Sequence, residues 1–308
     1  MSALQSALRQ YVAMRRGLGY KFQHQEHRLT DFVAFMDERG ATVITQKLAL
    51  KWATLPPDRH RSWALRLTDV RCFARHLTSV EPRTEVPAPG TFPALQRAKP
   101  YLYTDQEIRS LLAAAWALPP ADGLRRWTYH CLFGLLAVTG LRISEALGVR
   151  REDVDLQQGI LTIRDTKFGK SRLVPLHPTT LGILLRYAAR RDEHLGSECS
   201  PYFFVAERGG RLLLQYVHRV FWKLSRQIGL RSPTDHTGPR LHDFRHRFAV
   251  ETLLRWYRSG QNVEAQLPTL STYLGHSCVR DTYWYLSACP ELMEHAARRL
   301  EARWEAIS

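Results

Sequence analysis

The sequence is poor in cysteine and has no motif that pairs its cysteines. The 308 residues include five, an odd number, widely spaced and without a Cys-X-X-Cys pair. This pattern argues against a disulfide framework or a zinc knuckle and fits a reducing cytoplasm. Long apolar runs are missing too: no stretch approaches the ~18 apolar residues of a membrane span. Residues 1–19 contain no apolar core of signal-peptide length, so we expect no membrane partner and no export by that route.

Negative charge is scarce relative to positive charge. Lys and Arg number 44 against 29 Asp and Glu, which gives a net charge of +15 and a pI near 10.0. The basic residues recur along the whole chain, and most of them are arginine, whose planar guanidinium suits phosphate geometry. The charge balance therefore favours a polyanionic partner, and nucleic acid above all.

A proline-rich segment divides the chain into two regions. Apolar residues recur at helical spacing from about residue 4 to residue 77, which predicts several helices. Five prolines then fall between residues 81 and 100, a density that no helix or internal strand tolerates. We expect a helical first domain at residues 1–82 and a linker at residues 83–100.

The second region combines helices with a small amount of β-structure. Thr104 followed by Glu107 forms a capping box, which predicts that a second domain begins here and covers residues 101–308. Within it, residues 159–164 and 172–176 are two short β-like runs separated by a polar, glycine-containing stretch. The sequence therefore predicts a mainly α fold with a small antiparallel hairpin or three-stranded sheet in the second domain.

Residues 242–246 read HDFRH and carry two chemical interpretations. On a helix, His242 and Arg245 point to the same side, where a proton-exchanging ring beside a permanent cation suits a phosphodiester oxygen. His242 and His246 also have the spacing of a zinc-binding helix, which would make the chain a zinc hydrolase. Asp243 is shorter than the glutamate usual in such helices, and Arg245 would bring a cation near the metal, so we favour the first interpretation.

Further blocks fall before and after this one in the sequence. They read TGLRISE at residues 139–145, KFGKSRLVPL at residues 167–176, LGH at residues 274–276 and TYWY at residues 282–285. In this order and spacing, the blocks resemble the tyrosine recombinase (phage-integrase) family, whose marks are TGLRxSE, a hairpin lysine, HxxRH, LGH and a tyrosine nine residues beyond that histidine. The resemblance covers most of the chain, and its order is far more specific than any one motif.

The resemblance implies a set of site residues. The expected catalytic residues are Arg142, Lys167, His242, Arg245, His276 and the nucleophile Tyr285, with Glu145 supporting Arg142. Phe168 stands where the family commonly has glycine, which leaves Lys170 open as an alternative to Lys167. Tyr283 competes for the nucleophile's place, but two residues apart on a helix the tyrosines face opposite sides. The family spacing favours Tyr285, and we expect Tyr283 to serve in packing.

The chemistry implied by the resemblance needs neither metal nor nucleotide. Tyr285 would attack a phosphodiester and hold the 3′ phosphate, while Arg142 and Arg245 bind its oxygens. His242 would help the hydroxyl to ionise, Lys167 would protonate the leaving 5′ oxygen, and His276 would hydrogen-bond the phosphate. Because the phosphotyrosine ester keeps the energy of the broken bond, religation needs no ATP. The sequence has no GxxxxGK[ST] loop, in agreement with this.

The resemblance also implies a two-domain DNA clamp, in which a SAM-like helical core-binding domain precedes the catalytic domain. Candidate phosphate contacts are Arg59, Arg61, Arg66, Arg71, Arg75, Lys170 and Arg172. The implied partner is double-stranded DNA with two inverted half-sites, bound by a dimer and joined in a tetramer. A C-terminal helix at about residues 291–306 would dock onto a neighbouring subunit, and the protein would be cytoplasmic and associated with the nucleoid.

Three alternatives stay open at this point. A type IB topoisomerase would use the same residues to relax supercoils, and a catalytically silent DNA-binding protein would keep the charge. The third is the zinc hydrolase that uses His242 and His246. Among recombinases, an integrase of a mobile element is favoured, although chemistry alone does not separate it from an integron enzyme or a chromosome-dimer resolvase.

Overall fold

The structure is a computed structural model that describes residues 2–55, 60–93, 99–164, 171–196, 200–232, 234–235, 238–286 and 289–305. The chain divides into two compact units, Met1–Ala98 and Lys99–Ser308. In the described part of the chain, no helix combines the length and apolar character needed to cross a membrane.

The first unit is built from helices. They are α1 (Ala3–Gly17), α2 (Gln23–Asp37), α3 (Gln46–Ala53) and α4 (His60–Leu77). The side chains of Ser2 and Thr45 accept backbone N–H groups at the starts of α1 and α3, where helical donors have no partner of their own. Apolar positions at helical spacing close the core, in which Phe32, Trp52 and Phe73 are almost fully buried.

The first half of the expected linker at residues 83–100 is packed onto this unit. Glu85 pairs with the segment before α3: its N–H donates to Ile44 O at 2.9 Å, and its carboxylate accepts Gln46 N–H at 2.6 Å. The Arg71 guanidinium donates to the carbonyls of Pro87 and Ala88, both at 2.7 Å. Prolines exclude a helix here, but they leave carbonyls free to accept hydrogen bonds from the helix below.

The second unit is mainly helical with a small antiparallel sheet, as the sequence predicts. Its elements are α5 (Asp105–Trp116), α6 (Leu124–Thr139), α7 (Ile143–Ala146), a 3₁₀ turn (Arg151–Asp153), β1 (Val154–Asp155), β2 (Ile160–Ile163), β3 (Arg172–Pro175), α8 (Pro178–Leu195), α9 (Leu214–Gln227), α10 (Asp243–Arg258), α11 (Val263–Leu274), α12 (Arg280–Tyr283) and α13 (Pro290–Glu305). The predicted capping box of Thr104 and Glu107 starts α5. Strands pair in the order β1-β2-β3, with Leu161 opposite Val174.

Two apolar clusters hold the second unit together. The larger one surrounds α6, where Leu132, Phe133 and Leu136 are fully buried; burying each such side chain stabilises the fold by about 1.5–3 kcal/mol. The smaller cluster joins α10, α11 and the start of α13, and it includes Tyr285 and Leu292. Together the clusters fix the ends of α6, α10 and α11, which carry the residues singled out in the sequence.

Candidate active site

Arg142 lies in a tight turn between α6 and α7 that requires glycine. Gly140 ends α6 with φ +62°, and a Cβ there would lie 2.7 Å from the Phe248 ring. Arg142 lies immediately before α7, and its Nη1 donates to Glu145 Oε1 at 2.8 Å. Its backbone N–H donates to the other carboxylate oxygen at 3.0 Å. The TGLRISE block thus fixes one guanidinium by both its backbone and its side chain.

A second guanidinium reaches the same place from α10. Arg245 is almost fully buried, and it donates to Gly140 O at 3.1 Å and to Leu274 O at 2.5 Å. Arg142 donates to Leu274 O at 3.4 Å and to Gly275 O at 3.2 Å. Burial and the neighbouring charge of Arg142 lower the pKa of Arg245 to about 10. Two cations that share one carbonyl form a site that an anion would stabilise.

His276 is held by the turn that follows α11. Gly275 ends that helix with φ +67°, and the His276 ring then turns back so that Nδ1 hydrogen-bonds Thr282 Oγ1 at 2.7 Å. This bond leaves Nε2 as the ring nitrogen that can meet a ligand. Burial, followed by the charges of Arg245 and Arg142, lowers the pKa of His276 to about 4, so the ring is neutral at physiological pH.

Tyr285 enters the site and Tyr283 does not. The Tyr285 side chain is buried, and its ring stacks beside His276 with centroids 5.9 Å apart. Tyr283 is 52% exposed. The expectation that Tyr283 serves in packing was therefore wrong, because its position at the end of α12 turns it toward solvent.

His242 and His246 lie side by side at the start of α10, with ring centroids 4.7 Å apart. Burial and the charge of Arg245 lower the pKa of His242, while the buried carboxylate of Asp243, paired with Arg240 at 2.8 Å, acts in the opposite direction. The described residues contain no group of three or more His, Cys, Asp or Glu side chains that could hold a metal ion. The two histidines thus have no third protein ligand within that part of the chain.

His246 has a place in the site that the sequence interpretation missed. Its ring packs against Trp284 and Tyr285 with centroid distances of 4.8 and 5.4 Å, and its buried Nδ1 makes no hydrogen bond among the described residues. Burial, followed by the proximity of His242, lowers its pKa to about 4. The sequence signal for this position is the spacing of four residues from His242, the same spacing that suggests a zinc-binding helix.

Arg172, which was expected to contact phosphate, is buried and paired in this structure. Its side chain is 9% exposed, and it forms a bidentate pair with Glu145: Nη2 donates to Oε2 at 2.8 Å and Nη1 to Oε1 at 3.2 Å. Its Nε donates to Tyr273 O at 2.7 Å. Burial alone would raise the pKa of Glu145, but the hydrogen bonds and charges of Arg172 and Arg142 leave it below its usual value.

The two candidate lysines, Lys167 and Lys170, lie outside the described residues. The strands on either side are described, and their last pair is Ile163 opposite Arg172. Because Arg172 contacts Glu145, the strand that leads out of the hairpin starts at the site.

The arginines expected to hold DNA in the first unit differ among themselves. Arg59 lies outside the described residues, as does the side chain of Arg61. Arg66 is 12% exposed and covers the Trp52 ring at 3.6 Å, and Arg71 binds the carbonyls of residues 87 and 88. Both make contacts within their own unit, whereas Arg75 is exposed on α4.

The last helix begins inside its own unit. Leu292 is fully buried in the cluster that contains Tyr285, and the Glu291 carboxylate pairs with Arg258 at 2.6 Å. Met293 and Trp304 are 55% and 67% exposed. The helix therefore has a buried start and exposed apolar side chains beyond it.

Comparison with known proteins agrees with this geometry. Residues 102–291 match the model of the phage integrase family. The Sinorhizobium fredii protein y4rB, which carries an integrase/recombinase name, is 51% identical over 99% of both chains. The tyrosine recombinase XerD of Pseudomonas aeruginosa is 31% identical over 83% of both chains.

Solved structures show the same fold at lower identity. An integrase of the transposon Tn1549, solved with transposon right end DNA, matches with a TM-score of 0.66 and 15% identity over 96% of this chain and 98% of that one. A lambda integrase, solved as a tetramer on a Holliday junction, matches with a TM-score of 0.63 and 19% identity over 92% and 76%.

The chain belongs to the phage integrase family. Within that family it is a tyrosine-type site-specific recombinase.

Proposed function

We propose that the protein exchanges DNA strands through a transient bond between Tyr285 and a 3′ phosphate. The observation that carries this proposal is that the buried Tyr285 ring stacks on His276, two residues beyond the Leu274 carbonyl that Arg142 and Arg245 share. A nucleophile thus lies in the same site as two guanidinium groups that can take the charge of a phosphodiester. In contrast, Tyr283 is exposed.

The reaction balances without a co-reactant. The Tyr285 oxygen forms a bond to phosphorus as the bond from phosphorus to the 5′ oxygen breaks, and the 5′ oxygen takes up a proton. A free 5′ hydroxyl from a second strand then reverses the step and releases the tyrosine. Since each bond broken is replaced by an ester of similar energy, strands are exchanged without loss of phosphodiesters.

Each group in the site has a role in this scheme. Arg142 and Arg245 bind the nonbridging oxygens. The buried Nε of Arg245 has no acceptor among the described residues, so it is available to donate to one of these oxygens. His242, kept neutral by burial and by Arg245, accepts the tyrosine proton. His276 donates to the phosphate from Nε2. Lys167 is the proposed acid for the leaving oxygen, with Lys170 as the alternative.

The proposed partner is double-stranded DNA with two inverted half-sites. The net charge of +15 supports a polyanionic partner, and the Tn1549 and lambda integrases were solved on DNA. We propose a dimer on each DNA site and a tetramer when two sites are joined in synapsis. Residues 1–82 would bind DNA, and residues 101–308 would carry out catalysis. The exposed end of α13, with Met293 and Trp304, would contact the neighbouring subunit. A mobile element is the proposed setting.

Covalent capture tests the proposal. The full chain is incubated with a library of nicked suicide duplexes that carry randomised inverted half-sites, trapped complexes are sequenced, and the DNA-linked peptide is mapped. We expect attachment at Tyr285 and no capture by Tyr285→Phe, while Tyr283→Phe is captured normally. Attachment elsewhere would overturn the proposal. On a plasmid with two selected sites, recombinant products are expected, and relaxation alone would indicate a topoisomerase.

A further inference from the structure

Thr282 bonds both His276 and the turn that carries Tyr285. Its hydroxyl oxygen lies 2.7 Å from His276 Nδ1, and its carbonyl accepts the backbone N–H of Tyr285 at 3.0 Å. Its own N–H donates to Val279 O at 2.8 Å, at the start of α12. Because Thr282 is fully buried, this residue holds the histidine and the segment of the proposed nucleophile together inside the fold.

The direction of the hydrogen bond between Thr282 and His276 follows from what the hydroxyl can bond. A threonine hydroxyl has one proton to donate and can also accept. In the part of the chain that the structure describes, Thr282 Oγ1 makes no hydrogen bond besides the one with His276 Nδ1. If Nδ1 donated to this oxygen, the hydroxyl proton would be buried without an acceptor, a cost that the opposite direction avoids. The hydroxyl therefore donates, and Nδ1 accepts.

This direction fixes the tautomer of the His276 ring. Burial, followed by the charges of Arg245 and Arg142, keeps the pKa of His276 at about 4, so the ring is neutral at physiological pH. A neutral imidazole has a single N–H group. Since Nδ1 is an acceptor, the proton is on Nε2, the nitrogen that would meet the phosphate. The ring thus presents a donor to an anion, where the other tautomer would present a lone pair.

We propose that Thr282 is a positioning residue that holds His276 in the Nε2–H tautomer, and so gives the site a phosphate donor without a charge of its own. A third cation beside Arg142 and Arg245 would be unfavourable, and a neutral ring can donate only if its proton faces the ligand. This inference rests on the proposed function, in which His276 donates to the phosphate. It adds a residue that acts only through His276.

Nitrogen NMR of the full chain without DNA tests the tautomer directly. In protein with ¹⁵N-labelled histidine, correlations between the carbon-bound ring protons and the ring nitrogens show which nitrogen is protonated. The signals of His276 are identified by their loss in His276→Phe. At pH 7 we expect the parent to have the proton of His276 on Nε2 alone. A proton on Nδ1, or on both nitrogens, would refute the proposal.

Two variants of Thr282 separate the hydroxyl from the shape of the side chain. Thr282→Val keeps the shape and removes the hydroxyl, so no bond favours either tautomer, and the Nδ1–H form should appear in part of the molecules. We expect cleavage of the suicide duplex at saturating DNA to slow by roughly 10-fold. This is less than the ~10²–10³-fold of a lost oxyanion donor, because the remaining molecules keep the proton on Nε2. Thr282→Ser keeps the hydroxyl and should cleave close to the parental rate.

A double-mutant cycle separates an effect through His276 from general damage to the fold. His276→Phe keeps a ring beside Tyr285 but has no nitrogen, so adding Thr282→Val should slow cleavage no further than His276→Phe alone does. The matched control is Thr128→Val, which removes a buried hydroxyl of the same unit that donates to Val205 O at 3.1 Å. This control should keep the parental cleavage rate and the parental tautomer of His276.

Three kinetic outcomes would overturn the proposal. These are cleavage by Thr282→Val at the parental rate, a loss that adds in full to that of His276→Phe, and a loss confined to DNA affinity with normal cleavage at saturation. Failure of the proposed function has a different result, because the parent would then form no link at Tyr285. The NMR measurement still decides the tautomer in that case, since it needs neither DNA nor cleavage. Made on the parent, it also decides if Thr282→Val does not fold.

Discussion

Arginines of the two units serve different purposes although they look alike in the sequence. In the first unit, Arg66 covers one indole ring and Arg71 binds two adjacent carbonyls, so each supports its own neighbourhood. In the second unit, Arg142 and Arg172 share Glu145, and Arg142 and Arg245 share Leu274 O. The shared acceptors bring three guanidinium groups together in the second unit, whereas Arg66 and Arg71 act separately in the first.

The largest expected effect concerns the nucleophile of the second unit. Tyr285→Phe removes the only atom that can attack phosphorus in the proposed scheme, so covalent complexes should disappear while DNA binding is retained. Gel analysis of suicide-substrate reactions measures the covalent complexes, and filter binding measures DNA affinity. Strand exchange by Tyr285→Phe at the parental rate would contradict the assignment.

The second prediction compares one arginine from each unit. Arg245→Lys keeps the charge but loses the fork that spans Gly140 O and Leu274 O, and we expect cleavage to slow by ~10²–10³-fold, the scale of a lost oxyanion donor. Arg71→Lys should leave the cleavage rate at saturating DNA within about 3-fold, because its contacts only hold residues 87 and 88. Single-turnover rates measure both. Equal losses in the two variants would remove the distinction between the units.

Acid sensitivity should be concentrated in the second unit's site. The pKa values of His246 and His276 in the folded protein are about 4, below the ordinary 6.5. Between these two pH values, the unfolded chain therefore binds more protons than the folded chain. The free energy of unfolding should therefore fall as pH drops from about 6.5 to about 4. His246→Phe keeps the ring contacts and cannot titrate, so it should flatten this dependence. Urea unfolding at pH 7 and pH 5 measures it, and an unchanged slope would contradict the assignment.

The smallest expected effect is on the surface of the first unit. Arg75 is exposed on α4, unlike Arg66 and Arg71. If it contacts phosphate, Arg75→Ala should weaken binding to all sequences about equally and lower the salt slope of log K by ~1. Binding measured between 50 and 200 mM salt tests this prediction. An unchanged slope would assign Arg75 to solvent and leave the DNA contacts of this unit to other side chains.

Much of the fold was predictable because local signals carry it. The capping box of Thr104 and Glu107 and the strands on either side of residues 165–171 are as predicted. The packing of residues 84–92 on the first unit was not predictable. Proline density excludes a helix in this segment. It does not predict that the carbonyls of Pro87 and Ala88 accept hydrogen bonds from Arg71, which lies elsewhere in the sequence.

The sequence by itself determined the family, the order of the site residues and which tyrosine has the right spacing, because these depend on residue type and local periodicity. Only the tertiary structure decided that Arg172 holds Glu145, that Arg66 packs on Trp52, and that His246 lies against Tyr285. The physical reason is that an arginine's surroundings, and not its neighbours in the sequence, determine whether its charge is buried and paired or left for a phosphate.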